Sequence, residues 1–122
     1  MRFIKVRLIE RIKKVEVLGI KMARYIVKLS YKSKDYYLDW STVTDSPITY
    51  GVSLDKFKKY IKKEYGKEGL ENLPQRLKRV NKKGCSSHIC TLYDLIATNR
   101  AGKNDKHLTK NEVIRQYCLQ NH

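Results

Sequence analysis

From Tyr25 the chain alternates. Tyr25, Val27, Leu29 and Tyr31 are separated by Ile26, Lys28 and Ser30, the period-2 pattern of a strand that buries one face. The period returns after the polar Lys32-Ser33-Lys34-Asp35, where Tyr36, Leu38 and Trp40 alternate with Tyr37, Asp39 and Ser41. Two such runs around a short polar connection predict an antiparallel hairpin. Nearer the N-terminus, Ile4, Val6 and Leu8 alternate with Lys5 and Arg7, and Val15 and Val17 flank Glu16. Two further short strands are expected there, although residues 9–14 also fit a helical spacing. Asp45-Ser46-Pro47 marks a turn, and Ile48-Thr49-Tyr50 is expected as a short edge strand.

Past residue 52 the pattern becomes helical. Ser53 is a good N-cap, with Asp55 in the first turn, and Leu54, Phe57, Ile61 and Tyr65 fall on one face. Gly66 is the expected stop. Asn72 then caps a second helix with Pro74 near its start, Leu73, Leu77 and Val80 inward, and Gly84 at its end. A third, short helix is expected over Leu92 to Asn99. Residues 100–107, polar and Gly-containing, are expected as a mobile loop. Thr109 and Glu112 form a capping box ahead of Val113, Ile114, Tyr117 and Cys118.

With no repeat, low-complexity tract or linker, residues 1–122 read as a single domain, 1–50 mainly sheet and 53–122 mainly helical. The class is α+β: an N-terminal antiparallel sheet of three to four strands followed by three to four short helices. Hydrophobic content of 41% over 122 residues builds a core without disulfides and excludes a disordered basic tail. No segment reaches the roughly 20 apolar residues of a membrane span. Three cysteines and no export signal point to reduced thiols in the cytoplasm, that of a host cell if the protein is viral.

Charge changes the picture most. Lys and Arg number 27 against 12 Asp and Glu, a net charge of +15, and residues 56–83 hold eleven basic and three acidic residues. Such a density attracts polyanions and releases counterions when phosphates bind, so nucleic acid is the leading partner class. The bias to Lys, Ile and Asn also suits an AT-rich genome, which accounts for part of the excess. The expected phosphate-gripping face comprises Lys56, Lys58, Lys59, Lys62 and Lys63 on the first helix and Arg76, Arg79, Lys82 and Lys83 on the second. On the sheet, Lys5 and Arg7 would join Arg24 and Lys28 on an exposed face, where Tyr37 could stack on a base.

Other chemistry is thinner. Cys85-x-x-His88 and Cys118-x-x-x-His122 could chelate zinc, with Cys90 and His107 as spare ligands. Cys118 lies on the apolar face of the last helix, however, so no metal or other cofactor is expected. The acids are scattered; Asp39 and Asp45 could meet across a turn but do not make a nuclease site. There is no phosphate-cradling Gly-x-x-x-x-Gly-Lys loop. The chain reads as a non-enzyme: a small basic nucleic-acid-binding protein, DNA- or RNA-directed, from a virus or mobile element. Its alternative is a mobile-element inhibitor of the anti-CRISPR kind, docking on a host nucleoprotein complex. A small nuclease or zinc-dependent enzyme ranks third.

Overall fold

The structure, a computed structural model, describes residues 24–119. The expected strands around residues 4–8 and 15–17 lie outside these residues, as do Lys5, Arg7 and His122. The hairpin forms as the alternation predicts, from β1 (Arg24–Tyr31) and β2 (Lys34–Ser41), paired antiparallel from Arg24↔Ser41 to Tyr31↔Lys34. Its loop is two residues, not four. Lys32 and Ser33 both take positive φ (49° and 64°), the type I′ geometry that matches strand twist, which leaves Lys34 and Asp35 free to pair.

The third strand is shorter and earlier than expected. β3 is Ser46–Pro47, opposite Ser41 and Trp40. Ser41 Oγ accepts from the Val43 and Thr44 N–H groups, so the turn is tightened at residues 42–45. Beyond Pro47 the Thr49 hydroxyl, not a backbone group, accepts the Asp39 N–H at 2.9 Å. The ladder is thereby interrupted, and Ile48 and Tyr50 stay exposed until Val52 bridges Tyr37.

The second half is helical: α1 (Leu54–Lys83), α2 (Leu92–Ala97) and α3 (Lys110–Tyr117). The stop expected at Gly66 is present: its backbone (φ 67°, ψ −156°) leaves the helical region and divides α1 into two helical segments joined by a kink. The second segment resumes at Lys67 and not at Asn72, so Asn72 is an exposed interior residue and not a cap. Lys, Glu and Leu around it are good helix formers, which outweighs the ladder bond that Pro74 cannot donate. Ser53 caps α1 as expected, and capping boxes close both Thr91–Asp94 and Thr109–Glu112.

Residues 100–107 are more organised than a mobile loop. Asn99, 1% exposed, donates from Nδ2 to the Ile96 and Leu108 carbonyls and accepts at Oδ1 from the Ala101 and Leu108 N–H groups. All of its polar capacity is therefore used inside the fold. A 3-10 turn over Lys103–Asp105 completes the loop.

The hairpin is buried on both faces. Val27, Leu29, Leu38 and Trp40 pack on α2, α3 and the loop between them through Leu95, Leu108, Val113 and Ile114. On the opposite face, Ile26 and Tyr37 pack on α1 through Phe57, Ile61, Leu73 and Val80. The outer edge of β1 is covered too. Lys28 N–H donates to the Gly84 carbonyl, Ser86 N–H to the Ile26 carbonyl, and Ile26 N–H to Ser86 Oγ. Residues 84–86 thus act as a fourth strand in miniature and remove an edge that would otherwise template aggregation.

Two glycines at positive φ give a prediction. At Gly66 (φ 67°, ψ −156°) an added Cβ meets open space, but the backbone lies in a region essentially closed to other residues, so Gly66→Ala is expected to cost about 2 kcal/mol from the backbone alone. At Gly84 (φ 85°, ψ −11°) the left-handed backbone is cheaper, but the added Cβ would stand 2.6 Å from Leu92 Cβ, and Gly84→Ala is also expected to cost about 2 kcal/mol. Urea unfolding of both variants checks this; a loss well below 1 kcal/mol at Gly84 would contradict the packing of Leu92 under the cap.

Candidate nucleic-acid interface

The amphipathic pattern of α1 sets the candidate interface. Phe57 and Ile61 turn to the sheet, with the Tyr37 and Phe57 rings 6.2 Å apart, and Lys58 and Lys59 between them face water. Lys56, Lys58, Lys59, Lys62 and Lys63 are all exposed there. After the kink Lys67, Lys78 and Lys82 are exposed as well, whereas Arg76, Arg79 and Lys83 are half-buried. The single basic face expected from spacing is therefore two things: an outward row of lysines, and a flank of arginines turned toward the body of the protein.

What fixes the helix is an acid in the core. Asp39 is 1% exposed, in the middle of β2 on the face that meets α1. Its Oδ2 accepts the hydroxyls of Tyr60 at 2.7 Å and Tyr65 at 2.5 Å, and lies 3.6 Å from Arg24 Nη1. Arg24 Nη1 in turn donates to Tyr65 OH at 2.9 Å. A buried carboxylate needs such partners, and here they come from both strands' side of the core and from α1. Burial, with the negative charge of Asp39 beside it, pushes the Tyr65 phenol up to about 12. Tyr60 moves in the same direction for the same reasons. Burial alone would lower Arg24, but the Tyr65 phenol and Asp39 outweigh it and hold the guanidinium above its ordinary value.

Past the kink, arginines take over the anchoring. Arg76 Nη2 donates to the Arg24 carbonyl at 3.2 Å, and Arg79 Nε donates to the Ser86 carbonyl at 2.6 Å. Both ends of α1 are thus tied to the hairpin, one through Asp39 and the other through β1 and residues 84–86. Arg24, Arg76 and Arg79 also line one cleft of about 390 Å³ with Tyr25, Ser86, Ser87, His88 and Ile89. A larger cleft of about 770 Å³ between β2 and the start of α1 includes both Lys34 and Asp35 and has no such single-sign lining.

Several expected site residues fall elsewhere. Tyr37 is 7% exposed and packs in the α1 core, so it is not a stacking platform on an open sheet. Between residues 24 and 41 the hairpin is exposed only toward its tip, residues 30–35, because elsewhere two cores cover its two faces. Lys28 reaches Asn81 instead, at 3.2 Å. Asp39 turns to Tyr60 and Tyr65. Cys85 and Cys118 sit together in the α2/α3 core. Burial pushes both thiols up, Cys118 to about 11, and Cys85 Sγ donates to the Cys90 carbonyl. His88 is exposed, and no group of three or more His, Cys, Asp or Glu side chains gathers among the described residues.

These placements predict thiol chemistry. In the native protein a thiol reagent is expected to titrate half-buried Cys90 quickly and to reach Cys85 and Cys118 only on unfolding. Rapid modification of all three cysteines without denaturant would contradict the burial.

Spacing missed Arg24, Tyr60 and Tyr65 as a unit, although a signal existed. An aspartate inside the apolar run Tyr36-Tyr37-Leu38-Asp39-Trp40 must find partners when that run is buried. The cleft had no local signal, since Ser86 and Arg24 are brought together only by the docking of residues 84–86 on β1. Comparison with protein-family models, with curated proteins and with solved structures returned no match. No described helix is long and apolar enough to cross a membrane.

Proposed function

We propose that this protein binds nucleic acid, without catalysing a reaction on it, by laying the exposed lysine row of α1 along a phosphate backbone. The observation that supports this best is the exposure of Lys56, Lys58, Lys59, Lys62 and Lys63 on a helix whose other side is held by the core. These five ammonium groups span about 10 Å of helix axis at 1.5 Å per residue. That spacing is close to the phosphate density of a strand, one charge per ~3.4 Å, or ~1.7 Å for a duplex. Lysines are flexible point charges, so they engage phosphates without reading bases. The net +15 adds long-range attraction and fast association. A cytoplasmic protein of a virus or mobile element fits this composition.

The test is binding to labelled single-stranded DNA, duplex DNA and structured RNA across a salt series. Log affinity is expected to fall linearly with log salt, with a slope of about −0.9 per phosphate on duplex DNA and about −0.7 on a single strand. Affinity that is weak and insensitive to salt would remove nucleic acid as the partner.

A further inference from the structure

We infer that the cleft between α1 and residues 84–89 is a nucleotide site, with the phosphate on Arg76 and Arg79 and the base beside Tyr25 and Ile89. Three guanidinium groups line one cleft with no carboxylate among its described lining. Asp39 stands behind Arg24 and also acts on Arg76, but it is a single carboxylate already serving two phenols and does not balance three guanidinium groups. Gathering like charges is unfavourable unless something answers them. At Arg76 burial lowers the pKa most, Asp39 and the Tyr65 phenol act to raise it, and the neighbouring Arg79 lowers it again, so the net shift is downward.

The donor arrangement suits a phosphate. Arg79 spends its Nε–H on the Ser86 carbonyl, and Arg76 spends one Nη2 donor on the Arg24 carbonyl. Each bond fixes the plane of its guanidinium and leaves terminal N–H groups as the part that can meet an oxyanion in a bidentate way. The two stand three residues apart on one helix flank, nearly a full turn, and so share a side. Ser86 and Ser87 hold the adjoining turn: Ser87 Oγ accepts from the Ile89 and Cys90 N–H groups. The floor of the cleft is therefore built before any ligand arrives.

Inorganic phosphate would use only the arginines. A volume of about 390 Å³ has room for an attached group, within the ordinary range for small-molecule sites. Tyr25, partly buried against the α2/α3 core, contributes to the lining, His88 is exposed, and Ile89 holds an aliphatic side chain 87% in water at the rim. Phosphate at one end with an aromatic and an aliphatic surface at the other is the chemistry of a nucleotide. The nucleotide can be the phosphorylated end of a strand or a free mononucleotide; this inference rests on the proposed function only for that choice.

The experiment measures affinity by calorimetry and backbone-amide NMR for inorganic phosphate, a nucleoside, its 5′-monophosphate, and a short strand bearing a 5′-phosphate or a 5′-hydroxyl. The variants are Arg79→Gln, Ile89→Ala and Lys59→Glu/Lys63→Glu. The monophosphate is expected to bind at least about tenfold more tightly than phosphate or nucleoside. Its shifts should cluster at residues 24–26, 76–79 and 86–89. Arg79→Gln should weaken it about tenfold or more, as loss of a charged hydrogen bond does. Ile89→Ala, which alters only an exposed side chain and leaves the fold intact, should weaken it several-fold.

Lys59→Glu/Lys63→Glu should leave mononucleotide affinity unchanged while weakening the strands. Preference for the 5′-phosphorylated strand assigns the site to strand ends; monophosphate binding without strand binding assigns it to free nucleotide and sinks the lysine-row proposal alone. The inference is overturned by no monophosphate binding, by phosphate binding as tightly as the nucleotide, or by affinity unchanged in both Arg79→Gln and Ile89→Ala. Strand binding that persists beside any of these outcomes leaves the proposed function standing.

Discussion

Replacing Asp39 with alanine is expected to destabilise the protein by about 4 kcal/mol, the usual cost of breaking a buried charge network from one side. The substitution strands three groups at once. Tyr60 and Tyr65 lose their acceptor, and Arg24, with its side chain 29% exposed, loses its counterion. Asp39→Asn keeps the shape and one acceptor oxygen, so a loss of about 2 kcal/mol is expected. The same network sets an alkaline limit. An unfolded tyrosine titrates near 10, whereas Tyr65 in the fold titrates at about 12 and Tyr60 is also raised. The folded state then holds protons that the unfolded state has released. Stability contributed by the neutral phenols is complete below about pH 10 and is lost as pH rises through the folded value. Urea unfolding at neutral pH and across pH 9–12 reads both effects. An Asp39→Ala variant within 1 kcal/mol of the wild type, or a flat alkaline profile, would show that the carboxylate does not hold α1.

The physical reasons for what could be read in advance differ between elements. Alternation from Tyr25 to Ser41 is a local property, and the hairpin followed from it with the right face of Val27, Leu29, Leu38 and Trp40 inward. The capping boxes at Thr91 and Thr109 depend on neighbours three residues away; the Thr109 box was legible for that reason. The second core was not legible. Lys28, Ser30, Asp35 and Asp39 make the other face of the hairpin look solvated, and only Tyr60 and Tyr65 on a distant helix make Asp39 an interior residue. Gly66 was legible as a stop, but the chain re-enters the helix at Lys67 and not behind an Asn72 cap. At the site, exposure of the five lysines followed from the amphipathic pattern. The arginines shared that pattern's polar flank, yet Arg76 and Arg79 face backbone carbonyls of Arg24 and Ser86, contacts that spacing cannot supply.

The distinction between outward lysines and inward arginines shapes the second large effect. Lys59→Glu/Lys63→Glu replaces two favourable charges with two unfavourable ones on the solvent side of α1, while Asp39, Phe57 and Ile61 keep the helix in place. Each unit charge near a phosphate is worth about 1 kcal/mol in water, so the double reversal removes about 3 kcal/mol after screening, roughly a hundredfold in affinity. The salt slope should become shallower by about 2. Stability should change by less than 1 kcal/mol, because both side chains are exposed. Reversal at Arg79 would not separate binding from folding, since that side chain also anchors Ser86.

The deciding measurement is therefore the affinity of wild type and Lys59→Glu/Lys63→Glu for the same labelled strand over a salt series, with unfolding curves recorded in parallel. The lysine row predicts a roughly hundredfold loss at low salt, a slope shallower by about 2, and curves that converge as salt rises, with unfolding unchanged. Equal affinities and equal slopes in two equally stable proteins would contradict it, and the exposed lysines of α1 would then be no part of an interface.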